Sequence, residues 1–236
     1  PASPFQFDII EPEILGRIYE KFLGSKIRLT SEHRAKVEEK PEVRKAGGVY
    51  YTPEYIVRYI VENTVGEAIK GKTPEQIGKI RILDPACGSG SFLIGAFDYL
   101  VEYHRQWYAE HRTEKKSKND WYETPEGEVR VTIQKKREVL KNNIYGVDID
   151  REATEVAIMS LYLKLLDEGF DKGEAQLFVG TLLPDMTANI KCGNSLIGSD
   201  YYEGRDLKLF SDQEFKGVNA FDWSGKNGFP EIMNAG

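Results

Sequence analysis

Three polar side chains and one bend of small residues carry most of the chemistry open to this sequence. Asp84 heads the stretch Asp84-Pro85-Ala86-Cys87-Gly88-Ser89-Gly90, Asp148 ends the apolar run Ile144-Tyr145-Gly146-Val147, and Asn194 stands between Gly193 and Ser195. Arg81-Ile82-Leu83 reads as the end of a short buried strand and Phe92 onward as a helix. The bend between them therefore offers free backbone N–H groups at the positive end of a helix. Gly88 and Gly90 let a ligand approach the main chain closely, so the stretch reads as a nucleotide cradle. An acid at its mouth repels a pyrophosphate and suits a ligand carrying an ammonium group.

Other cradles with this outline fit less well. A dinucleotide fingerprint needs a third glycine where Leu93 stands, and a P-loop needs a lysine just after the bend, whereas none follows Gly90 before Lys115. A nicotinamide dehydrogenase would share the acid after the second strand but fails at Leu93. Asp148, at the carboxyl end of that strand, is placed to accept hydrogen bonds from ribose hydroxyls, while Asp150 serves as cap of the next helix.

The elements that must position these residues are legible from periodicity and turn signals. Ala157, Ile158, Leu161, Tyr162, Leu165 and Leu166 give a helix ending at Gly169, and Asn189 to Cys192 reads as a third strand. Thr73, Pro74 and Gln76 spell a capping box. Thr52-Pro53 starts a helix with a core face of Ile56, Val57, Ile60 and Val61, the Thr52 hydroxyl serving as its cap. Ile14, Leu15, Ile18, Tyr19 and Phe22 give Pro12 to Leu23 one buried stripe, a packing element with no chemistry of its own. Gly24 to Lys45 reads as a solvated linker or exposed helix, phosphate contacts from Lys36, Lys40, Arg44 and Lys45 being the lesser reading. Thr113 to Glu128 reads as an insertion loop that Trp121 and Tyr122 anchor, a stacking surface for nucleic acid being the lesser reading. His104 and His111 read as a solvent-side pair without a catalytic partner. Three parallel strands in the order third, second, first leave the Arg81 strand as an open edge. The tail, the N-terminal helix or a second copy of the chain is expected to cap it. Past Ser199, Phe210, Phe215, Phe221, Trp223 and Phe229 are scattered anchors.

With 236 residues and 40% hydrophobic content, the chain can bury one sizeable core with an appended piece. No apolar run reaches the roughly 20 residues that span a bilayer, and no leader opens the sequence, so the expectation is no membrane association. Cys87 and Cys192 lack CxxC spacing, which argues against a metal site and for a reducing cytoplasm. A net charge of −6 places any surface that grips nucleic acid either outside this chain or in a local patch.

Taken together, Asp84-Pro85-Ala86-Cys87-Gly88-Ser89-Gly90-Ser91-Phe92-Leu93 resembles the cofactor-binding motif of S-adenosylmethionine-dependent DNA methyltransferases that modify the exocyclic amine of adenine. The likeness is to the large restriction-modification type with fused nuclease and methylase. It implies a Rossmann-like class I α/β fold, with a partial, mostly parallel sheet and an N-terminal helical segment. It divides the chain into a helical connector and charged linker (1–46), a cofactor-binding half-domain (47–198) and an irregular tail (199–236). Gly47 to Pro53 is similar to the segment that closes over the methionine carboxylate, which makes Tyr51 and Thr52 cofactor contacts. By the same resemblance Asp84, Pro85, Ala86, Cys87, Gly88 and Gly90 surround the methionine part, Asp148 holds the ribose, and Ile149 lies against the adenine ring. Asn194, followed by Ser195, meets the cofactor's adenine amine.

The family's substrate is double-stranded DNA with a flipped adenine, held by a catalytic Asn-Pro-Pro-Tyr. Neither Asn-Pro-Pro nor Asp-Pro-Pro occurs here, so no catalytic residue is assigned. The expectation is a cofactor-binding half that stops before the catalytic loop and is inactive alone. A fragment acting on RNA or on protein glutamine, or a non-enzymatic cofactor- or DNA-binding module, stays open at this point.

Overall fold

The computed structural model of the chain describes residues 14–16, 18–19, 25–30, 32, 34–39, 52–112, 119–166, 183–204 and 218–233. After helical turns at 14–16 and 18–19 comes a hairpin of β1 (Ser25–Leu29) and β2 (Ala35–Glu39). Next comes α1 (Glu54–Val61), which runs on through a π-helical stretch, Glu62–Gly66, to Ile69. Then follow α2 (Pro74–Ile77), β3 (Ile82–Asp84), α3 (Ser91–Glu110), β4 (Trp121–Glu123) and β5 (Val129–Val131). The rest comprises α4 (Ile133–Asn143), β6 (Ile144–Asp148), α5 (Arg151–Leu166), β7 (Ile190–Cys192), a 3₁₀ turn at Ser199–Tyr202 and α6 (Pro230–Met233).

A three-stranded parallel sheet in the order β3-β6-β7 holds the centre, as expected, with Asp84 opposite Gly146 and Asp148 opposite Cys192. Alternation along the strands sorts its two faces. Ile82, Ile144 and Ile190 enter the main core with Leu93, Phe97, Leu100, Leu140 and Leu161, so α3, α4 and α5 cover that face. Leu83, Tyr145 and Val147 point the other way and meet Phe221, Trp223 and Phe229 of the tail. Phe229 stands edge-on to Tyr145 at 5.5 Å, and the Lys191 ammonium lies 4.8 Å over its ring.

Two buried amides tie the lower ends of the strands to the loops around them. Asn143 donates to the carbonyls of Ile77 (2.7 Å) and Ile80 (2.8 Å), and Asn189 to those of Lys141 and Ile144, both at 2.9 Å. Carbonyls at element ends that would otherwise be buried without partners are thereby satisfied. The capping box forms, Thr73 and Gln76 bonding each other's backbone N–H.

Several expectations are corrected. The stretch taken as linker carries the β1–β2 hairpin, Ile27 opposite Val37. Its alternation of apolar and charged residues is that of a two-stranded ribbon, and the charges masked it. Lys36 lies on β2, 3.7 Å from Glu38, whereas Lys40, Arg44 and Lys45 fall outside the described residues. The insertion loop carries β4 and the turn of the β4–β5 hairpin, β5 starting just past Glu128, and Trp121 stacks on Tyr108 at 6.4 Å, so its anchoring role holds. That hairpin packs against α3, and His104 is buried at 1% exposure. Its ring bonds the Leu100 carbonyl, and burial lowers its pKa to about 4. Thr52 does not cap α1, because Pro53 occupies the cap position and no side chain bonds the free N–H groups. The tail crosses one sheet face and pairs through Asn194 and Ala220; among the described residues β3 has no neighbour on its outer side. Phe22, Phe210 and Phe215 lie outside the described residues.

Candidate functional site

The carboxyl ends of β3, β6 and β7 lie side by side, and each ends in a residue singled out above or runs directly into one. Adjacent strands are spaced by about 4.8 Å, so Asp84, Asp148 and the turn after β7 spread over roughly 10 Å, within the reach of one nucleoside.

Between β3 and α3 the chain folds back on itself. Asp84 accepts the Ala86 N–H at 3.0 Å, closing the first turn, and the Gly90 N–H bonds the Cys87 carbonyl at 2.8 Å, closing the second. The Cys87 N–H reaches across to the Val147 carbonyl (2.9 Å) and the Gly88 N–H to the Asp148 carboxylate (2.8 Å). Gly88 and Gly90 adopt φ of 53° and 92°, in the left-handed region. A Cβ at Gly90 would meet the Cα of Ala157 at 3.2 Å, so the bend lies hard against α5. Pro85 and Ala86 are exposed at its tip.

Asp148 is fixed by two backbone donors, Gly88 on one oxygen and Asp150 (2.9 Å) on the other. Each oxygen keeps a lone pair for a further donor. Asp150 caps α5 through the Glu152 N–H, as expected. Burial, followed by the charge of Asp148, holds the Asp84 carboxyl above the usual carboxylate range, against the lowering effect of the Ala86 N–H. Burial together with both aspartates pushes the Cys87 thiol far up, which excludes a thiolate nucleophile.

The turn after β7 is tied to the same frame. The Gly193 N–H bonds the Asp148 carbonyl at 2.8 Å, the Asn194 side-chain oxygen accepts the Leu196 N–H at 3.1 Å, and Trp223 donates to the Ser195 carbonyl at 3.2 Å. Asn194 therefore brings one remaining lone pair on its amide oxygen, not two. Ile149 is 54% exposed beside Asp148, an apolar surface free for a ring. Among the described residues no cluster could hold a metal ion, and Cys87 and Cys192 are both free thiols.

Asp84, Cys87, Gly88, Gly90, Asp148, Ile149, Asn194 and Ser195 thus share one end of the sheet. Thr52 is half-buried ahead of α1 with no described bond to the bend, and Tyr51 lies outside the described residues. A cavity of about 340 Å³ opens between α1 and α3 beside Ser89, lined by Val57, Val61, Ile94 and Tyr99. Sequence reasoning missed the turn around Gly16 and Tyr19, which rests on the bend: a Cβ at Gly16 would stand 3.0 Å from the Ser89 hydroxyl. The only signal was a glycine inside an apolar stripe.

A family model described as MmeI, DNA-methyltransferase domain, matches residues 66–203, more than half of the chain and all three strand ends. The chain belongs to that family. Among relatives of this MmeI-type domain is the type II restriction enzyme and methyltransferase RM.Eco57I of Escherichia coli, 34% identical over 94% of the chain and 21% of its own length. A protein of Methanocaldococcus jannaschii with the provisional name of a type II restriction enzyme and methyltransferase, RM.MjaORFECS2P, is 30% identical over 80% of the chain and 17% of its own length. The adenine-specific methyltransferase BrxX of another Escherichia coli strain is 26% identical over 61% of the chain and 13% of its own. The MmeI-type domain described here thus spans about a fifth or less of the length of these relatives.

Proposed function

We propose that this chain is the S-adenosylmethionine-binding part of a restriction-modification enzyme that methylates the exocyclic amine of adenine in double-stranded DNA. The observation that carries the reading is the pairing of Asp84 and Asp148 at adjacent parallel strand ends, the glycine bend bonded to the second of them. The donor set fits the cofactor. Asp148 offers two oriented lone pairs to a ribose diol, Ile149 an apolar face to the purine, and Asn194 an acceptor to its amine. Asp84, partly desolvated, is set to meet an ammonium group, whose charge favours the ionised carboxylate. Pro85, Ala86 and Cys87 line the bend, and Tyr51 and Thr52 close over the carboxylate end.

When bound, the cofactor supplies a methyl group activated by a sulfonium sulfur. The chain's own residues hold and orient it, which is the entropic share of the catalysis. Acceptors that aim the target amine come from outside these 236 residues, since the sequence contains no Asn-Pro-Pro or Asp-Pro-Pro. The adenine specificity in the name of BrxX supports the choice of base. The edge of β3, which has no neighbour among the described residues, is the place for a further strand of the same sheet or for self-association.

Calorimetric titration with S-adenosylmethionine tests the reading. Binding by the wild-type chain that vanishes in Asp148→Ala supports it. Titrations identical in the two proteins overturn it.

A further inference from the structure

The N-terminal helical stretches at 14–16 and 18–19 were expected only to pack, yet Gly16 lies against the glycine bend. Gly16 is buried, and a Cβ there would press on the Ser89 hydroxyl of the bend at 3.0 Å. Tyr19 follows three positions later, in the next described helical stretch. Its hydroxyl is buried beside the Asp150 carboxylate, an acceptor that it meets without the geometry of an ordinary hydrogen bond among the described residues. The charges around it are those of Asp150, Glu152 and Asp148. Burial first, and then these carboxylates, raise its pKa well above that of a free phenol, so it keeps its proton and can both donate and accept.

A buried hydroxyl whose hydrogen-bonding capacity is incompletely used calls for a reason. Asp150 caps α5 with one oxygen, accepting the Glu152 N–H at 2.9 Å, and its carboxylate is also an acceptor for the Tyr19 hydroxyl proton, which leaves the phenol's lone pairs to accept. Both oxygens of Asp148 are turned by backbone donors, each with a lone pair left. A vicinal diol set against Asp148 would bring hydroxyl groups to the neighbourhood of Tyr19, each able to donate and to accept.

We infer that Tyr19 is a cofactor-contacting residue whose hydroxyl hydrogen-bonds the ribose of the nucleoside that Asp148 holds. The N-terminal turn is then one wall of the pocket, seated by the Gly16–Ser89 contact. The inference rests on the S-adenosylmethionine reading above and adds a recognition element to it.

The test is calorimetric titration of the wild-type chain, Tyr19→Phe and Asp148→Ala with S-adenosylmethionine and with its 2′-deoxy and 3′-deoxy ribose analogues. Thermal melts serve as a check on folding. Phenylalanine keeps the ring and removes only the hydroxyl. The expected result is an affinity for S-adenosylmethionine about three- to tenfold weaker in Tyr19→Phe, with one of the deoxy analogues bound equally by this variant and the wild type. Unchanged affinity overturns the inference alone. So does an equal loss for the parent cofactor and both analogues, which marks a purely structural role. If the wild type fails to bind S-adenosylmethionine, or Asp148→Ala binds it as tightly as the wild type, the cofactor reading and this inference fall together.

Discussion

Asp84 and Asp148 invite comparison, because they are the same residue type at the ends of neighbouring parallel strands and face the same side of the sheet. Each closes an identical small turn, accepting the N–H two residues on at 3.0 and 2.9 Å. They differ in the second oxygen. That of Asp148 takes the Gly88 N–H from the bend, whereas among the described residues that of Asp84 takes nothing. The first carboxylate is locked into the frame and presents fixed lone pairs. The second is desolvated, with its ionisation opposed by burial and by its neighbour. On the proposed reading, one site takes neutral hydroxyl donors and the other a cation. A difference in backbone partners, with no difference in residue type, produces the division of labour.

Removing the locked member has the largest expected effect. Asp148→Ala strips partners from the Gly88 and Asp150 N–H groups along with the ribose acceptor, and S-adenosylmethionine affinity should fall by about a hundredfold or more in calorimetry. A loss under threefold would contradict the locked role. Gly90→Ala attacks the lock from the bend. With φ of 92° and the Ala157 Cα at 3.2 Å from the new methyl, unfolding free energy in urea should drop by about 2–3 kcal/mol. Wild-type stability in that variant would mean the bend can shift without cost.

The desolvated member should behave differently. Asp84→Asn is expected to cost about tenfold in cofactor affinity while leaving the melting temperature unchanged or raised, since it removes a carboxylate whose ionisation burial opposes. Its pH dependence has a definite sign. A raised carboxyl pKa means that the uncharged form is favoured in the fold. The associated stability is therefore full below the ordinary carboxylate range and is lost as pH rises through the raised value. A cationic ligand favours the ionised form, so cofactor affinity should climb with pH across that interval in the wild type. In Asp84→Asn it should stay flat, and parallel curves for the two proteins would remove the cation assignment. The smallest effect is expected from Ile149→Ala, about three- to fivefold in affinity, because the exposed side chain offers only apolar contact to a ring.

How much of this was legible beforehand depended on the distance over which each feature is decided. The strand-bend-helix unit at Asp84, the capping box at Thr73 and the Asp150 cap are local, and the residues that make them lie within a few positions of one another. The order of the sheet also followed, because parallel strands joined by helices admit few topologies. Local reasoning failed at Thr52, where a neighbouring proline took the cap, and at 24–45, where charges hid a two-residue period. It failed again at His104, whose burial depends on the β4–β5 hairpin laid over α3.

Residue type and spacing alone therefore determined the cradle, the two acids and the asparagine turn that share one end of the sheet. Tertiary structure decided how those residues differ in use. The bond from Gly88 to Asp148 joins positions sixty residues apart, and the contact of Gly16 with Ser89 brings the N-terminal turn onto the bend. The tail likewise covers the second sheet face through Phe221 and Phe229. Such contacts depend on packing between segments remote in the chain, and the hydrophobic pattern that drives burial is nearly indifferent to which apolar partner it finds.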